Sequence, residues 1–180
     1  MRIVITGTPG VGKHTIADIL AKRLKYKIID INSLAFKHNA IIGKDYAFII
    51  DTEKMKDIIK DELDDNCIIV GHVAPYVLEN DYIDYVIVLR RSPYELEEVY
   101  RNRGYDAKKM KDNLSSEILG SIAYDCINKF DKVIEIDCTN KKPDQIVDEI
   151  MYYIDKNEKR IGIVDWLELV KDDINRFFDL

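Results

Sequence analysis

The sequence predicts a three-layer α/β fold built on a mainly parallel, five-stranded sheet with helices on both faces. Three observations lead there. Short apolar runs of strand length alternate along the chain with amphipathic segments of helical period. Two of the runs, Cys67-Ile68-Ile69-Val70 and Tyr85-Val86-Ile87-Val88-Leu89, are apolar throughout, as strands covered on both faces are. Polar and charged residues gather just after the runs (Thr6-Gly7, Asp30 to Ser33, Gly71-His72, Arg90-Arg91), where open α/β sheets bind their ligands. The 180 residues suit one domain, and 47% hydrophobic residues provide a core while 33% charged residues populate the surface.

The first run is Ile3-Val4-Ile5. Gly7-Thr8-Pro9-Gly10-Val11-Gly12-Lys13 follows it and fits G-x-x-x-x-G-K, and an amphipathic segment from Lys13 to about Lys25 comes next, with Ile16, Ile19 and Leu20 on one face. Strand, glycine turn, lysine and helix in that order form a phosphate-binding P-loop. Glycines let successive backbone N–H groups point inward at a phosphate, the helix adds the positive end of its dipole, and Lys13 reaches the outer phosphates. The expected architecture is therefore a P-loop NTPase fold. The spacing G-x-x-G-x-G fits a dinucleotide fingerprint less well. The position after Lys13, usually Ser or Thr, holds His14, and Thr15 supplies a hydroxyl one residue later. His14 either contacts phosphate or faces solvent.

Lys27-Ile28-Ile29-Asp30 reads as the next strand and Leu34 to His38 as a short helix. Residues 39–47 are mixed, with Gly43 as a breaker, and Phe48-Ile49-Ile50 is a brief apolar run. Asp51 or Thr52 caps a helix reaching about Asp65, with Met55, Ile58, Ile59 and Leu63 on one face. After the buried strand at 67–70, residues 73–82 are loop-like, and the strand at 85–89 follows. Ser92-Pro93 starts a helix to about Asn102, with Ser92 as the cap. Arg103-Gly104-Tyr105-Asp106 interrupts it, and a second helix covers about Lys111 to Asn128. Lys132 to Asp137 is the last strand, and Pro143 opens a helix with Ile146, Val147, Ile150 and Ile154 on one face. Residues 156–160 are charged and read as a hinge. Asp165 and Glu168 cap a final helix with the stripe Leu167, Val170, Ile174, Phe177 and Phe178.

The net charge of −6 disfavours a general electrostatic grip on nucleic acid and suits a basic protein partner. Cys67, Cys126 and Cys138 form no C-x-x-C pair, so neither a disulfide framework nor a zinc site is expected. No apolar stretch approaches membrane-spanning length, and the N-terminus enters a strand at once. The expectation is a cytoplasmic protein (nuclear if eukaryotic) without membrane contact.

Phosphoryl transfer requires cations around the transferring group. Arg90, at a strand end, and Arg103, beside a glycine break, are read as phosphate-binding; Arg91 and Arg101 are read as solvated charges. His72, after Gly71, is a candidate to orient the attacking group or to sense the γ-phosphate. The Asp that anchors Mg²⁺ at the end of a buried strand in many such proteins is missing, since Ile68-Ile69-Val70-Gly71 occupies that place. Asp30 and Asp51 either act on the metal through water or are helix caps.

The combination GTPGVGKHT, His72, VLR at 88–90, RNRGY at 101–105, Asp112-Asn113 and NKKP at 140–143 resembles the small adenylate-kinase-like proteins of archaea and eukaryotes, a family linked to late small-ribosomal-subunit maturation that includes the coilin-interacting nuclear isoenzyme-six type. The likeness runs from about Met1 to Ile154. It implies a nucleoside monophosphate (NMP) kinase domain over 1–155, with an NMP-binding segment near 30–53 and a short lid near 102–112, and it leaves 156–180 as a helical extension packed on the core. It implies that Gly10, Gly12, Lys13, His14 and Thr15 line the ATP phosphates, that Thr15 helps hold Mg²⁺, that Arg103 completes the site from the lid, and that Lys142 lies near the adenine. His72 matches the histidine of the family's D-x-H motif, whose Asp is replaced by Val70. ATP and Mg²⁺ are the implied cofactors and AMP or a related monophosphate the implied acceptor, with Lys13, Arg103 and His72 as the catalytic set. The family's second implication is an ATPase acting in ribosome assembly through a small-subunit ribosomal protein and the pre-small-subunit.

Overall fold

A computed structural model describes residues 1–44 and 48–178. Residues 45–47, inside the expected NMP-binding segment, and 179–180, at the end of the expected extension, lie outside the described residues.

The central sheet has five strands: β1 (Arg2–Thr6), β2 (Lys27–Asp30), β5 (Cys67–Val70), β6 (Tyr85–Arg90) and β7 (Val133–Asp137), in the spatial order β2-β5-β1-β6-β7. All four pairings are parallel. The order reverses at β1, so the crevice above its carboxyl end is the natural ligand position. A separate antiparallel pair, β3 (Ile41–Lys44) and β4 (Phe48–Ile50), aligns Ile41 with Ile50 and Lys44 with Phe48.

Alternation along the strands divides the core. Ile3, Ile5, Ile68, Val70, Ile87, Leu89, Ile134 and Ile136 face one apolar layer. It is completed by α1 (Lys13–Leu24), α5 (Pro93–Asn102), α6 (Ala107–Ile118) and α8 (Pro143–Lys156). Val4, Ile69, Val86, Val88 and Val133 face the other layer, completed by α2 (Ile31–Lys37), α3 (Thr52–Glu62), α4 (Ala74–Val77) and α7 (Ser121–Lys129). Asp30, Asp51 and Asp106 each accept a backbone N–H in the first turn of α2, α3 and α6.

Several expectations need revision. Residues 73–82 are not a plain loop but contain α4 and a 3₁₀ turn at Asn80–Tyr82. The helix expected over 111–128 is two helices. Gly120 stands between α6 and α7 at φ 65°, and a Cβ there would approach Arg90 Nη2 to 3.3 Å. Ser92 precedes α5 but makes no side-chain cap bond. The final helix is broken into α9 (Trp166–Val170), a 3₁₀ turn at Lys171–Asp173, and α10 (Ile174–Phe177). Its buried residues are Trp166, Val170 and Phe177, whereas Leu167 is exposed. The Asp165 carboxylate does accept the Glu168 N–H at 2.9 Å.

The segment between α8 and α9 returns along the sheet. Arg160 N–H donates to the Val133 carbonyl and Glu135 N–H donates to the Arg160 carbonyl, so one residue runs parallel beside β7. No helix among the described residues is long and apolar enough to cross a membrane.

Candidate active site

The loop after β1 is shaped by its glycines. Gly7 has φ 136°, and a Cβ there would stand 2.4 Å from the Leu89 carbonyl oxygen of β6, so no side chain fits. Gly12 has φ 102° and precedes α1, and nothing lies within 4 Å of the place a Cβ would take, because that place opens into a cavity. The cavity encloses about 550 Å³ and is lined by Gly10, Gly12, Lys13, His14 and Thr15 from the loop side. Opposite them are Arg103 and Tyr105 after α5, and Lys109 and Asn113 of α6. Asn32, His72 and Tyr76 close the third side.

Lys13 is nearly buried, and its Nζ donates to the carbonyls of Gly7 at 2.8 Å and Thr8 at 3.0 Å. Burial pushes its ammonium down to about 7; the Glu117 carboxylate pulls it up, and Arg103 lowers it further. This is a cation folded back on its own loop and bonded to carbonyls alone, poised for the charge of a phosphate. His72 is lowered to about 4 by burial and then by the Lys13 charge, so its imidazole is neutral near pH 7. It offers hydrogen bonds to a ligand rather than a positive charge.

His14 turns away from the role of a metal-side residue. Its Nε2 lies 2.7 Å from Asp30 Oδ2. The other oxygen of Asp30 accepts the Ser33 N–H at 2.6 Å. Burial works against the Asp30 charge, and the Ser33 hydrogen bonds, then His14, outweigh it to lower the pKa. Asp51 accepts the Lys54 N–H at 3.0 Å. Neither acid lines the cavity; Thr15 does. No group of three or more His, Cys, Asp or Glu among the described residues could cage a metal. A single hydroxyl beside a phosphate cradle nonetheless fits Mg²⁺, which keeps waters and substrate phosphate oxygens as most of its shell.

Two expectations separate from the site. Arg90 does not reach the crevice. It is buried, with Nε 2.9 Å from Glu117 Oε1, Nη1 2.5 Å from Glu135 Oε1 and Nη2 2.9 Å from the Glu117 carbonyl. Burial opposes its charge, yet Glu117 and Glu135 hold its pKa above the ordinary guanidinium value. Its strand-end position is real, but acids of α6 and β7 capture it first. Lys142 is not among the cavity-lining residues; it precedes α8, where its N–H donates to Gln145 Oε1 at 2.9 Å. Arg103 does line the cavity, as do Gly10, Gly12, Lys13, His14, Thr15 and His72.

A second compartment lies largely in the 30–53 segment, and its apolar lining was not singled out from the sequence. A recess of about 320 Å³ shares Asn32, His72 and Lys109 with the cavity and is otherwise lined by Ala35, Phe36, Ile41, Lys44, Phe48 and Ile50. Phe36 and Phe48 meet edge to face at 4.7 Å. The visible signal was the apolar run at 48–50 set apart from the sheet runs. Also missed was the stack that closes the lid side. Tyr105 lies on Tyr100 at 5.2 Å and 8°, Lys109 Nζ stands 3.8 Å above the Tyr105 ring, and Tyr100 Oη donates to the Pro9 carbonyl.

Comparisons with known proteins bear on the fold and the family. Residues 3–120 match the family described as an AAA domain (AAA_18). The chain is 43% identical over 173 residues to the "Putative adenylate kinase" of Methanocaldococcus jannaschii, covering 93% of this chain and 94% of that one. It is 38% identical over 171 residues to the protein of the same description from Pyrococcus abyssi, covering 94% and 93%. Among solved structures it is similar to YorR of Bacillus subtilis, crystallised with phosphorylated GDP (TM-score 0.64, 22% identity, 87% of this chain and 97% of that one). It is also similar to shikimate kinase of Aquifex aeolicus (TM-score 0.59, 16% identity, 87% and 98%). At such identities the structural likeness is one of fold, that of P-loop kinases. The sequence matches go further, and by them the chain belongs to the archaeal adenylate-kinase-like family.

Proposed function

We propose that the protein transfers the γ-phosphoryl group of MgATP reversibly to a nucleoside monophosphate, with AMP as the acceptor. The observation that carries this is a pair of adjacent compartments: a phosphate cradle with Lys13 and Arg103, and a mainly apolar recess that shares Asn32, His72 and Lys109 with it. The donor phosphates lie along Gly10 to Thr15 and the acceptor's base lies among Phe36, Phe48 and Ile50. The named kinases among the relatives are consistent with this reading.

The chemistry asks little of the side chains beyond placement. The acceptor phosphate carries anionic oxygens near pH 7, so no residue has to remove a proton from the nucleophile. One of these oxygens bonds to the γ-phosphorus as the bond to the β,γ-bridging oxygen breaks, giving two nucleoside diphosphates. Lys13 leaves the Gly7 and Thr8 carbonyls for phosphate oxygens and stabilises the charge spread over the transferring group, with Arg103 on the lid side. The Thr15 hydroxyl would hold Mg²⁺, which would neutralise phosphate charge when bound. His72, neutral, orients the acceptor phosphate by hydrogen bonding. Closure of 102–112 over the donor excludes water and limits hydrolysis.

A coupled assay for ADP tests this with ATP alone and then with ATP and each monophosphate in turn. Rapid ADP formation only when AMP is present is the expected result. Equal ADP release without a monophosphate overturns it in favour of the ATPase, the reading in which a small-subunit ribosomal protein is the partner and which rests on resemblance alone.

A further inference from the structure

The carboxylate of Glu117 joins three parts of the molecule that are far apart in sequence. Its Oε2 accepts the Thr8 hydroxyl of the glycine loop at 2.5 Å. Its Oε1 accepts Arg90 Nε of β6 at 2.9 Å, the Arg91 N–H at 3.2 Å, and the indole Nε1–H of Trp166, in the C-terminal extension, at 3.0 Å. Glu117 is 1% exposed. Three of these four donors converge on Oε1, and the Thr8 hydroxyl takes Oε2. Where the carboxylate stands is thus set by its donors, and Thr8 is held by it.

Thr8 is no passive residue of the loop, because its carbonyl receives Lys13 Nζ at 3.0 Å. The extension also grips the helices on either side of the lid segment. Arg176 pairs with Glu97 of α5, and Ser115 Oγ of α6 donates to the Phe177 carbonyl at 3.0 Å. The Gly162 N–H donates to Glu135, the second acid on Arg90. An extension that merely covered apolar surface would need no bond to the acid that holds the loop.

We infer that the C-terminal extension is part of the nucleotide site: Trp166, acting through Glu117, is a positioning residue that sets Thr8 and, through the Thr8 carbonyl, the resting place of Lys13. This rests on the reading of the loop as the ATP-phosphate cradle and is independent of the acceptor. When phosphates draw Lys13 off the Thr8 carbonyl, the change passes through Thr8 and Glu117 to the indole.

Trp166 is the chain's single tryptophan, so its emission reports that carboxylate. The full-length protein is titrated with MgATP while binding is followed in parallel by calorimetry. The emission is expected to shift in step with calorimetric saturation, and the shift to disappear in Thr8→Val at saturating nucleotide. Trp166→Phe keeps a ring and removes the donor; it is expected to weaken ATP binding and raise the KM for ATP about three- to ten-fold, with kcat and the KM for AMP within about two-fold. Saturable ATP binding with unchanged emission overturns the inference. So does a Trp166→Phe protein with a lowered Tm but wild-type ATP affinity, the pattern of a purely structural residue. ATP binding with the emission shift but no phosphorylation of AMP overturns the acceptor reading and leaves this one standing, while absence of any ATP binding by the wild-type protein overturns both.

Discussion

Lys13 at the start of α1 and Arg90 at the end of β6 are equally buried, at 7% and 6% exposure, and their surroundings are opposite. Lys13 meets only carbonyl oxygens, and its pKa falls to about 7. Arg90 meets two carboxylates and a carbonyl, and its pKa rises. The first cation is left for a ligand to neutralise; the second is neutralised by the fold. Desolvation costs are similar in kind for both, so what separates a binding cation from a structural one is the charge of its partners rather than its depth or its place at a strand end.

The largest expected effect falls on the structural cation. Arg90→Met strands Glu117 and Glu135 without their partner, and stability should drop by about 3–5 kcal/mol, a fall in Tm of about 10 °C. Thermal unfolding checks this, and an Arg90→Met protein that keeps its Tm while losing ATP binding would break the comparison. Lys13→Met should do the reverse. Phosphoryl transfer should fall about 10²- to 10³-fold in steady-state assays with Tm held or raised, because a desolvated charge has been removed. Arg103, exposed at the end of α5 and facing the cavity, should behave like Lys13 on a smaller scale. Arg103→Ala should cost about ten- to a hundred-fold in kcat/KM with no change in Tm.

The smallest effect sharpens the electrostatics. The unfolded lysine titrates near 10.5 and the folded one at about 7, so between these values the unfolded chain binds more protons and stability rises with pH. From pH 7 to 9 Lys13 should contribute up to about 1 kcal/mol of stability per pH unit, a slope absent in Lys13→Met. Phosphates favour the charged lysine, so ATP binding at pH 8 should take up about one proton, measurable by calorimetry in buffers of different ionisation enthalpy.

The sheet was legible because β5 and β6 are apolar at every position, a pattern that needs cover on both faces. The loop was legible because its glycines and lysine stand in fixed register within one short stretch. Arg90 was misread because the rule that strand ends face the ligand carries no knowledge of acids 27 and 45 residues further on. The same distance hid the break at Gly120, whose neighbour is that guanidinium. The apolar lining of the recess went unidentified for another reason, although the 30–53 segment that supplies most of it was marked out. It is assembled mainly from α2 and the β3–β4 pair, short elements whose apolar residues serve both a hollow and the core, and periodicity does not distinguish the two. In the extension, the stripe pointed to Leu167, whereas the broken helix turns Trp166 inward instead, toward an acid of α6.

The backbone of Arg160, lying beside β7, has a meaning apart from catalysis. A parallel sheet ends in unclaimed amides, and an unclaimed border invites a strand from another molecule. Here the Glu135 N–H and the Val133 carbonyl are already taken by one residue of the same chain. The border is covered by a single contact in the first half of the strand, too short to be a sixth strand and placed where a neighbour would have to pair. The return of the chain thus limits the sheet to five strands on that side and keeps each molecule from becoming a template for the next.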